Sequence, residues 1–239
     1  MKIAPFLLGL AMATPAIAQV EEGPAIKPAA DAMREAWRQS PAKPVAITVP
    51  LFGRIMKFDM IRGFVPAYKA QNARQFIFEF LPDGETFDNW TQMVTVTGAK
   101  GPGADTRNDL ELAAAILGNP AGCAKSPFYR ALGSAKTVDG VSQVMVTKGC
   151  AATASGAYPG ATSSRGEQSL ILHFRDAQNT YSLQFAVRRS FLNGQPPIAD
   201  KAAAGTLAQF GRVRLCSTSS TDAECRSAQL LERQRSLGR

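Results

Sequence analysis

Three acidic residues, Asp83, Glu85 and Asp88, precede Trp90 in the stretch LPDGETFDNWTQMVTVTG, residues 81–98. Paired carboxylates can act as general acid and base when their surroundings separate their pKa values, and a tryptophan beside them can stack on a ligand. The Pro-Asp-Gly sequence in this stretch also favours a tight turn, where acidic side chains are ordinarily solvated. We therefore weigh a ligand-binding or catalytic site against the structural start of a strand, and favour the strand.

The sequence offers little for histidine-based catalysis, because His173 is its only histidine. Its strand places it on the face opposite the apolar residues, and a histidine on such a polar face is ordinarily solvated. A Ser-His-Asp hydrolase would also show a G-x-S-x-G turn, which the sequence lacks. No C-x-x-C spacing indicates a zinc or redox site, and no dense set of aspartates indicates a calcium site. The sequence thus predicts no catalytic residue, no metal and no cofactor.

Four cysteines follow the N-terminal region: Cys123, Cys150, Cys216 and Cys225. Four cysteines allow three pairings. Proximity along the chain favours Cys123–Cys150 and Cys216–Cys225, and disulfides form in oxidising compartments.

The N-terminus has the three parts of a secretory signal peptide: a basic start, an apolar run over 3–13 and a small-x-small tripeptide at 16–18. The apolar run is shorter than the roughly 20 residues that a transmembrane helix needs. We expect residues 1–18 to be a signal peptide, with the mature chain beginning at Gln19. No transmembrane segment is expected in that mature chain, and its predicted location is periplasmic or secreted.

The chain is basic, with a formal net charge of +8 at pH 7. A basic surface favours acidic partners, so an acidic component of the bacterial envelope or an envelope protein is a candidate partner. The alternative is an ordinary solvated basic surface. The basic residues form no block and accompany no aromatic-rich nucleic-acid motif, so no nucleic acid is expected.

Alternation of apolar and polar residues indicates strands. In the Phe-rich strand, Phe76, Phe78 and Phe80 share one face, and we expect Trp90 to cover one end of this apolar layer. The predicted strands are 51–60, 63–70, 73–82, 90–97, 128–134 and 141–149, followed by a hairpin over 169–189. Helical spacing predicts helices at 31–39, near 106–117, at 198–212 and after a capping box of Thr221 and Glu224.

The hairpin has a register that its hydrophobic pattern fixes. Pairing Phe174 with Tyr181 places Leu172 opposite Leu183 and leaves a loop over 176–179. Every apolar residue then meets an apolar partner across the strands.

These elements predict one α+β domain, an antiparallel sheet flanked by helices and held by two disulfides. We expect a signal peptide over 1–18, an N-terminal segment with a short helix over 19–45 and the α+β domain over 46–216. A disulfide-tied C-terminal helix and tail would follow over 217–239.

The stretch GETFDNWTQMVTV, residues 84–96, resembles the Asn-Trp…Met strand start of an uncharacterised group of small secreted proteobacterial proteins. The order of strands and helices is similar to that of the PsbP-like fold, an antiparallel sheet between helices. The resemblance implies an exported protein with this fold, and it implies no catalytic residue.

Two classes of function remain. The first is a non-catalytic periplasmic or secreted protein that binds or assists a component of the cell envelope. The second is a periplasmic hydrolase that uses the carboxylates near the 83–90 turn. The export signal, the cysteines, the basic charge and the poor catalytic inventory favour the first.

Overall fold

The structure is a computed structural model, and it describes residues 26–118, 122–138, 140–155 and 165–218 together with Cys225. Strand residues outnumber helix residues among them. The helices are α1 (Ile26–Gln39), α2 (Asp109–Leu117) and α3 (Asp200–Leu207). The strands are β1 (Val45–Leu51), β2 (Arg54–Met60), β3 (Phe64–Gln71), β4 (Gln75–Pro82), β5 (Gln92–Lys100), β6 (Cys123–Ala131), β7 (Lys136–Val138), β8 (Val141–Thr153), β9 (Gly166–Arg175), β10 (Asn179–Arg189) and β11 (Arg214–Ser217).

Most of these strands form one antiparallel sheet in the order β3-β4-β5-β10-β9-β8-β6, with β7 paired to the start of β8. The Phe-rich strand β4 lies between β3 and β5. Phe76 and Phe80 are buried on one of its faces and Phe78 is half-buried beside them. The predicted alternation in this strand is confirmed.

The β9–β10 hairpin has the register that the apolar pattern predicts. Phe174 pairs with Tyr181, and Leu172 pairs with Leu183. At the loop, the Asp176 carboxylate accepts hydrogen bonds from the backbone N–H groups of Gln178 and Asn179, a local turn that an aspartate stabilises. The hydrophobic pattern and the turn chemistry therefore agree, which is why the register could be read in advance.

One face of the large sheet, called here the core face, is covered by a small sheet of order β1-β2-β11. Phe58 of β2 and Phe185 of β10 both pack edge-on against Phe210, at ring-centroid distances of 6.2 and 5.9 Å. Phe210 lies in a short 3-10 turn after α3, and Ala203 and Leu207 of α3 are buried in the same cluster. Burial of these apolar side chains between the two sheets is the main source of stability.

The opposite face, called here the second face, is covered in part by α2. Ala113 packs in a cluster with Val144, Val146 and Ile171 of the sheet. The helix begins at a reciprocal capping box formed by Asn108 and Glu111. The helix predicted near 106–117 therefore begins slightly further along the chain, after Asn108.

Two predicted elements differ from the structure. Residues 51–60 are not one strand, because the chain reverses at Phe52 and Gly53, and the β1–β2 hairpin results. The predicted helix over 198–212 is shorter, since α3 ends at Leu207 and a 3-10 turn follows over Ala208–Phe210. The capping box of Thr221 and Glu224 lies outside the described residues.

Both predicted disulfides are confirmed. Cys123 joins Cys150 with a Cα–Cα distance of 5.7 Å, and Cys216 joins Cys225 with a Cα–Cα distance of 5.5 Å. Two disulfides are consistent with a protein outside the cytoplasm. Among the helices that the structure describes, none has the length and apolar character needed to cross a bilayer.

The chain is thus a single-domain, mostly β protein with an antiparallel sheet, few helices and two disulfides. The single domain and the antiparallel sheet agree with the expectation. The α+β description is only loosely supported, because the chain is mostly β and a second sheet packs on the core face beside the few helices.

Candidate functional site

The carboxylates of the acidic turn, residues 83–90, do not share a partner. Asp83 accepts hydrogen bonds from Nε and Nη2 of Arg34, at 3.0 and 2.8 Å. This contact holds the pKa of Asp83 below its usual value. Glu85 accepts from the backbone N–H and the hydroxyl of Thr91, at 2.7 and 2.6 Å, and so fixes the chain before β5. Asp88 is exposed.

Trp90 is a core residue, with 3% of its surface exposed. It packs with Leu81, Met93 and Ala186 on the second face. Its predicted burial is confirmed, whereas its predicted place over the phenylalanine layer is wrong. Successive residues of a strand point to opposite faces, so Leu81 beside Trp90 lies on the other side of the sheet from Phe80.

A buried ionic group adjoins Trp90. The guanidinium carbon of Arg188 lies 3.7 Å from the Trp90 ring centroid, and Nη2 of Arg188 lies 3.4 Å from Oε2 of Glu167. Burial and the nearby Glu167 charge raise the pKa of Glu79 to about 7. Burial lowers the pKa of Lys148. Glu79 can therefore hold a proton near neutral pH. Arg188 covers one face of the Trp90 ring, so that face is occupied.

His173 is buried, which corrects the expectation of a solvated side chain. It pairs across the strands with Ser182 and Val144, and α2 packs on Val144. Neither ring nitrogen has a hydrogen-bond partner among the described residues. Burial, opposed by the charge of Asp109, lowers the pKa of His173 to about 4, so the ring is neutral at pH 7. It lacks the hydrogen-bonded partner that a catalytic histidine needs.

Asp83 belongs instead to an arginine-rich cleft, called here the α1 cleft. The cleft has a volume of about 290 Å³ and lies between α1, the β2–β3 connection and the end of β4. Its lining residues are Arg34, Trp37, Arg38, Arg62, Gly63, Val65 and Asp83.

The α1 cleft follows from the helical spacing of α1. Ala30, Met33 and Trp37 are buried on the side of α1 that packs against the sheet. Arg34 and Arg38 are one turn apart and border the cleft beside Trp37.

A backbone hydrogen bond joins two of the segments that line the cleft. The backbone N–H of Asp83 donates to the carbonyl of Gly63 at 2.7 Å, which joins the end of β4 to the β2–β3 connection. Gly63 has a φ of +87°, a conformation that glycine adopts at low cost. This contact keeps together the two segments that carry Arg62 and Asp83.

Three arginines line the cleft together with the carboxylate of Asp83. Arg34 is bound by Asp31 and Asp83, and Arg38 forms an ion pair with the half-buried Glu35. One N–H of Arg62 donates to a backbone carbonyl. A guanidinium carries five N–H donors, so Arg38 and Arg62 keep donors for an acidic ligand.

Trp37 contributes apolar ring surface to the cleft. Its indole is 7% exposed, and Nε1 is buried without a hydrogen-bond partner among the described residues. A buried N–H without a partner is uncommon and costs stability. No group of three or more metal-ligating side chains lies within the described part of the chain.

The helix predicted at 31–39 contains Arg34, Trp37 and Arg38, but the cleft was not predicted. The spacing of the two arginines around Trp37 was the only signal in the sequence. Arg62 lies in the β2–β3 connection and Val65 in β3, and their proximity to α1 depends on tertiary packing. No family model matches this chain, and no curated protein matches it.

Proposed function

We propose that this is a non-catalytic periplasmic or secreted protein that binds or assists a component of the bacterial cell envelope. The α1 cleft binds an acidic group of that component, a carboxylate or a phosphate. The observation that carries the proposal is the convergence of Arg34, Arg38 and Arg62 on Trp37 in one open cleft.

Export rests on the N-terminal pattern at 1–18, and the two disulfides are consistent with it. The proposed relationship to small secreted proteobacterial proteins with a PsbP-like fold rests on residues 84–96 and on the order of elements. An acidic envelope component would also complement the basic charge of the chain.

In this proposal the residues of the cleft have separate roles. Arg38 and Arg62 donate hydrogen bonds to the acidic group, and such charge-assisted bonds are shorter and stronger than neutral ones. Arg34 stays bound to Asp83 and holds α1 in place. Trp37 and Val65 supply apolar surface.

The alternative, a periplasmic hydrolase that uses the carboxylates near 83–90, gains no support from the turn. A general acid must hold a proton at working pH. The lowered pKa of Asp83 works against that role, and both oxygens of Glu85 accept hydrogen bonds from Thr91.

The test is calorimetric titration of the mature, disulfide-bonded protein with acidic probes: inorganic phosphate, glycerol phosphate and galacturonic acid. The double variant Arg38→Ala, Arg62→Ala should weaken binding of the best probe roughly 10- to 100-fold, because two hydrogen bonds to a charged group are lost. The matched control Arg189→Ala, Arg212→Ala removes the same charge at exposed arginines outside the cleft and should bind like the parent.

Two results would overturn the proposal. The first is equal affinity of the cleft variant and the parent. The second is the absence of binding by every probe at millimolar concentration while thermal unfolding shows that the protein is folded.

A further inference from the structure

Two turns meet at one edge of the molecule, opposite the α1 cleft. The β1–β2 turn carries Phe52, whose ring packs over Gly98 with ring atoms 3.4 Å from the position of a β-carbon there. Gly98 pairs with Phe76 across β4 and β5. The next turn, between β3 and β4, contains Arg74, and its carbonyl accepts a hydrogen bond from the backbone N–H of Lys100 at 2.9 Å. The two turns and the end of β5 thus form one continuous surface.

Cations lie over the aromatic rings of this surface. Nζ of Lys100 lies 5.0 Å from the Phe52 ring centroid. Nζ of Lys69 lies 5.7 and 5.8 Å from the centroids of Phe76 and Phe78. Phe52 and Phe78 are half-buried, so each offers part of its ring to the surroundings. We call Lys69, Arg74, Lys100, Phe52 and Phe78 the cationic edge.

The positive charges of the cationic edge are not compensated. None of Lys69, Arg74 and Lys100 forms an ion pair with another described residue. The acidic side chains on the segments next to it have their own partners, since Asp176 is paired with Arg54 and Asp105 with Arg107. Three cations therefore face outward together, where an anionic partner would complement them.

The backbone conformation of Phe52 is a second, independent indication that this surface has a function. It has a φ of +40°, in the left-handed region that asparagine and glycine favour in two-residue hairpin turns. A bulky residue there is strained, and such strain is concentrated at functional positions. The hairpin would close more easily with asparagine at this position, whereas only phenylalanine or another aromatic residue places a ring under Lys100.

We propose that the cationic edge docks the protein on a bilayer that exposes anionic phospholipid headgroups. Lysine and arginine beside aromatic rings are the side chains that bind the interface of such membranes. The edge consists of two turns with exposed cations, and none of its residues lines the α1 cleft. The inference is independent of the proposed ligand, because the α1 cleft lies at the other end of the β3–β4 hairpin, where Phe64 pairs with Pro82.

The experiment is co-sedimentation of the mature, disulfide-bonded protein with vesicles of phosphatidylglycerol and phosphatidylcholine, compared with phosphatidylcholine alone. We expect binding only to the anionic vesicles, and its loss at high salt because the attraction is screened. Lys69→Ala and Lys100→Ala should each lower the partition coefficient about fivefold. Phe52→Asn keeps the charge and suits the turn, and it should also weaken binding.

Matched controls separate this surface from net charge and from the cleft. Lys201→Ala removes one charge at an exposed lysine of α3 and should leave vesicle binding unchanged. The cleft variant Arg38→Ala, Arg62→Ala should also bind vesicles like the parent. Equal binding to neutral vesicles, absence of binding to anionic vesicles, or an equal loss in Lys201→Ala and Lys100→Ala would each overturn the proposal. Since the cleft is tested with soluble probes, either proposal can fail while the other stands.

Discussion

Trp90 is buried on the second face of the large sheet, beside the ionic group that contains Arg188 and Glu167. Trp90→Ala removes an indole that packs with Leu81, Met93 and Ala186 and carries Arg188 on its ring. We expect a loss of about 3–5 kcal/mol in the free energy of unfolding, the usual cost of truncating a buried aromatic residue. Denaturant unfolding measures it, with Asp88→Asn at an exposed site as the control, expected within about 0.5 kcal/mol of the parent. Unchanged stability in Trp90→Ala would mean that the indole is not a core residue.

Glu79 should make stability depend on pH in a direction unusual for a carboxyl group. Its pKa is raised to about 7, so the folded state holds the proton where the unfolded state has already lost it. The stabilising contribution is complete below the unfolded pKa of 4.5 and is lost as pH rises through 7. Glu79→Gln should therefore be more stable than the parent at pH 8, by roughly 1–3 kcal/mol, and equal to it at pH 4. Thermal unfolding across this range is the measurement, and a constant difference at all pH values would contradict it.

His173 gives the opposite trend and must be separated from Glu79. Burial lowers its pKa to about 4, so the unfolded chain binds a proton between that value and 6.5 while the folded chain does not. Its contribution is complete above pH 6.5 and is lost as pH falls toward 4. The two groups oppose each other over much of this range, so the difference between Glu79→Gln and the parent, rather than the parent curve alone, isolates Glu79.

The protonation states of Glu79 and His173 depend on burial, which the sequence alone does not reveal. Alternation along β4 places Glu79 opposite the phenylalanines, but only the packing of distant segments decides whether that face is covered. Strand alternation correctly places His173 on the face opposite the apolar residues of its own strand. Its expected exposure to solvent is wrong, because α2 packs over its cross-strand neighbour Val144. Burial of the second face is a tertiary effect that strand periodicity does not carry.

At the scale of elements, alanine at two glycine positions should have opposite effects on stability, because only one of the two positions contacts a neighbouring strand. A β-carbon on Gly149 would lie 2.0 Å from the backbone carbonyl oxygen of Glu167 in the neighbouring strand, whereas one on Gly205 of α3 would meet no atom within 4 Å. Gly149→Ala should force β8 and β9 apart and cost roughly 3 kcal/mol, the upper part of the usual range for overpacking. Gly205→Ala should stabilise by about 0.5–1 kcal/mol, because alanine favours a helix. Denaturant midpoints of the pair test this, and equal shifts would show that the strands can adjust.

Elements were predictable where local chemistry and the hydrophobic pattern agree. In the β9–β10 hairpin, the Asp176 turn and the Phe174–Tyr181 pairing give the same register. At 51–60 they disagree, because Phe52 is a poor turn residue and its strong apolar character suggests a continuing strand. The structure resolves the conflict through a left-handed Phe52 and Gly53, so the missed turn is also the strained one.

At the scale of the whole molecule, the class of fold was predicted only in part. The helical patterns were found, but β1 and much of β6 lack clear alternation, and with these strands the chain is mostly β. A small second sheet, which was not expected, covers the core face together with α1 and α3. This choice depends on how β1, β2 and β11 pair, and β11 is more than a hundred residues from the other two.

The two disulfides should stabilise the whole fold unequally. Cys123–Cys150 closes a loop with a sequence separation of 27 residues, and Cys216–Cys225 closes one with a separation of 9. Loop-closure entropy grows with loop length, so replacing both cysteines of the first pair by alanine should cost about 3.5 kcal/mol, against about 2.5 kcal/mol for the second. The second pair also buries Cys216 and Cys225 against Ile55, and its loss removes this packing in addition. Denaturant unfolding of the two double variants gives both values, and the difference between them is informative. If the second pair proves the costlier, its packing against Ile55, rather than the constraint on the unfolded chain, is the main contribution of that bridge.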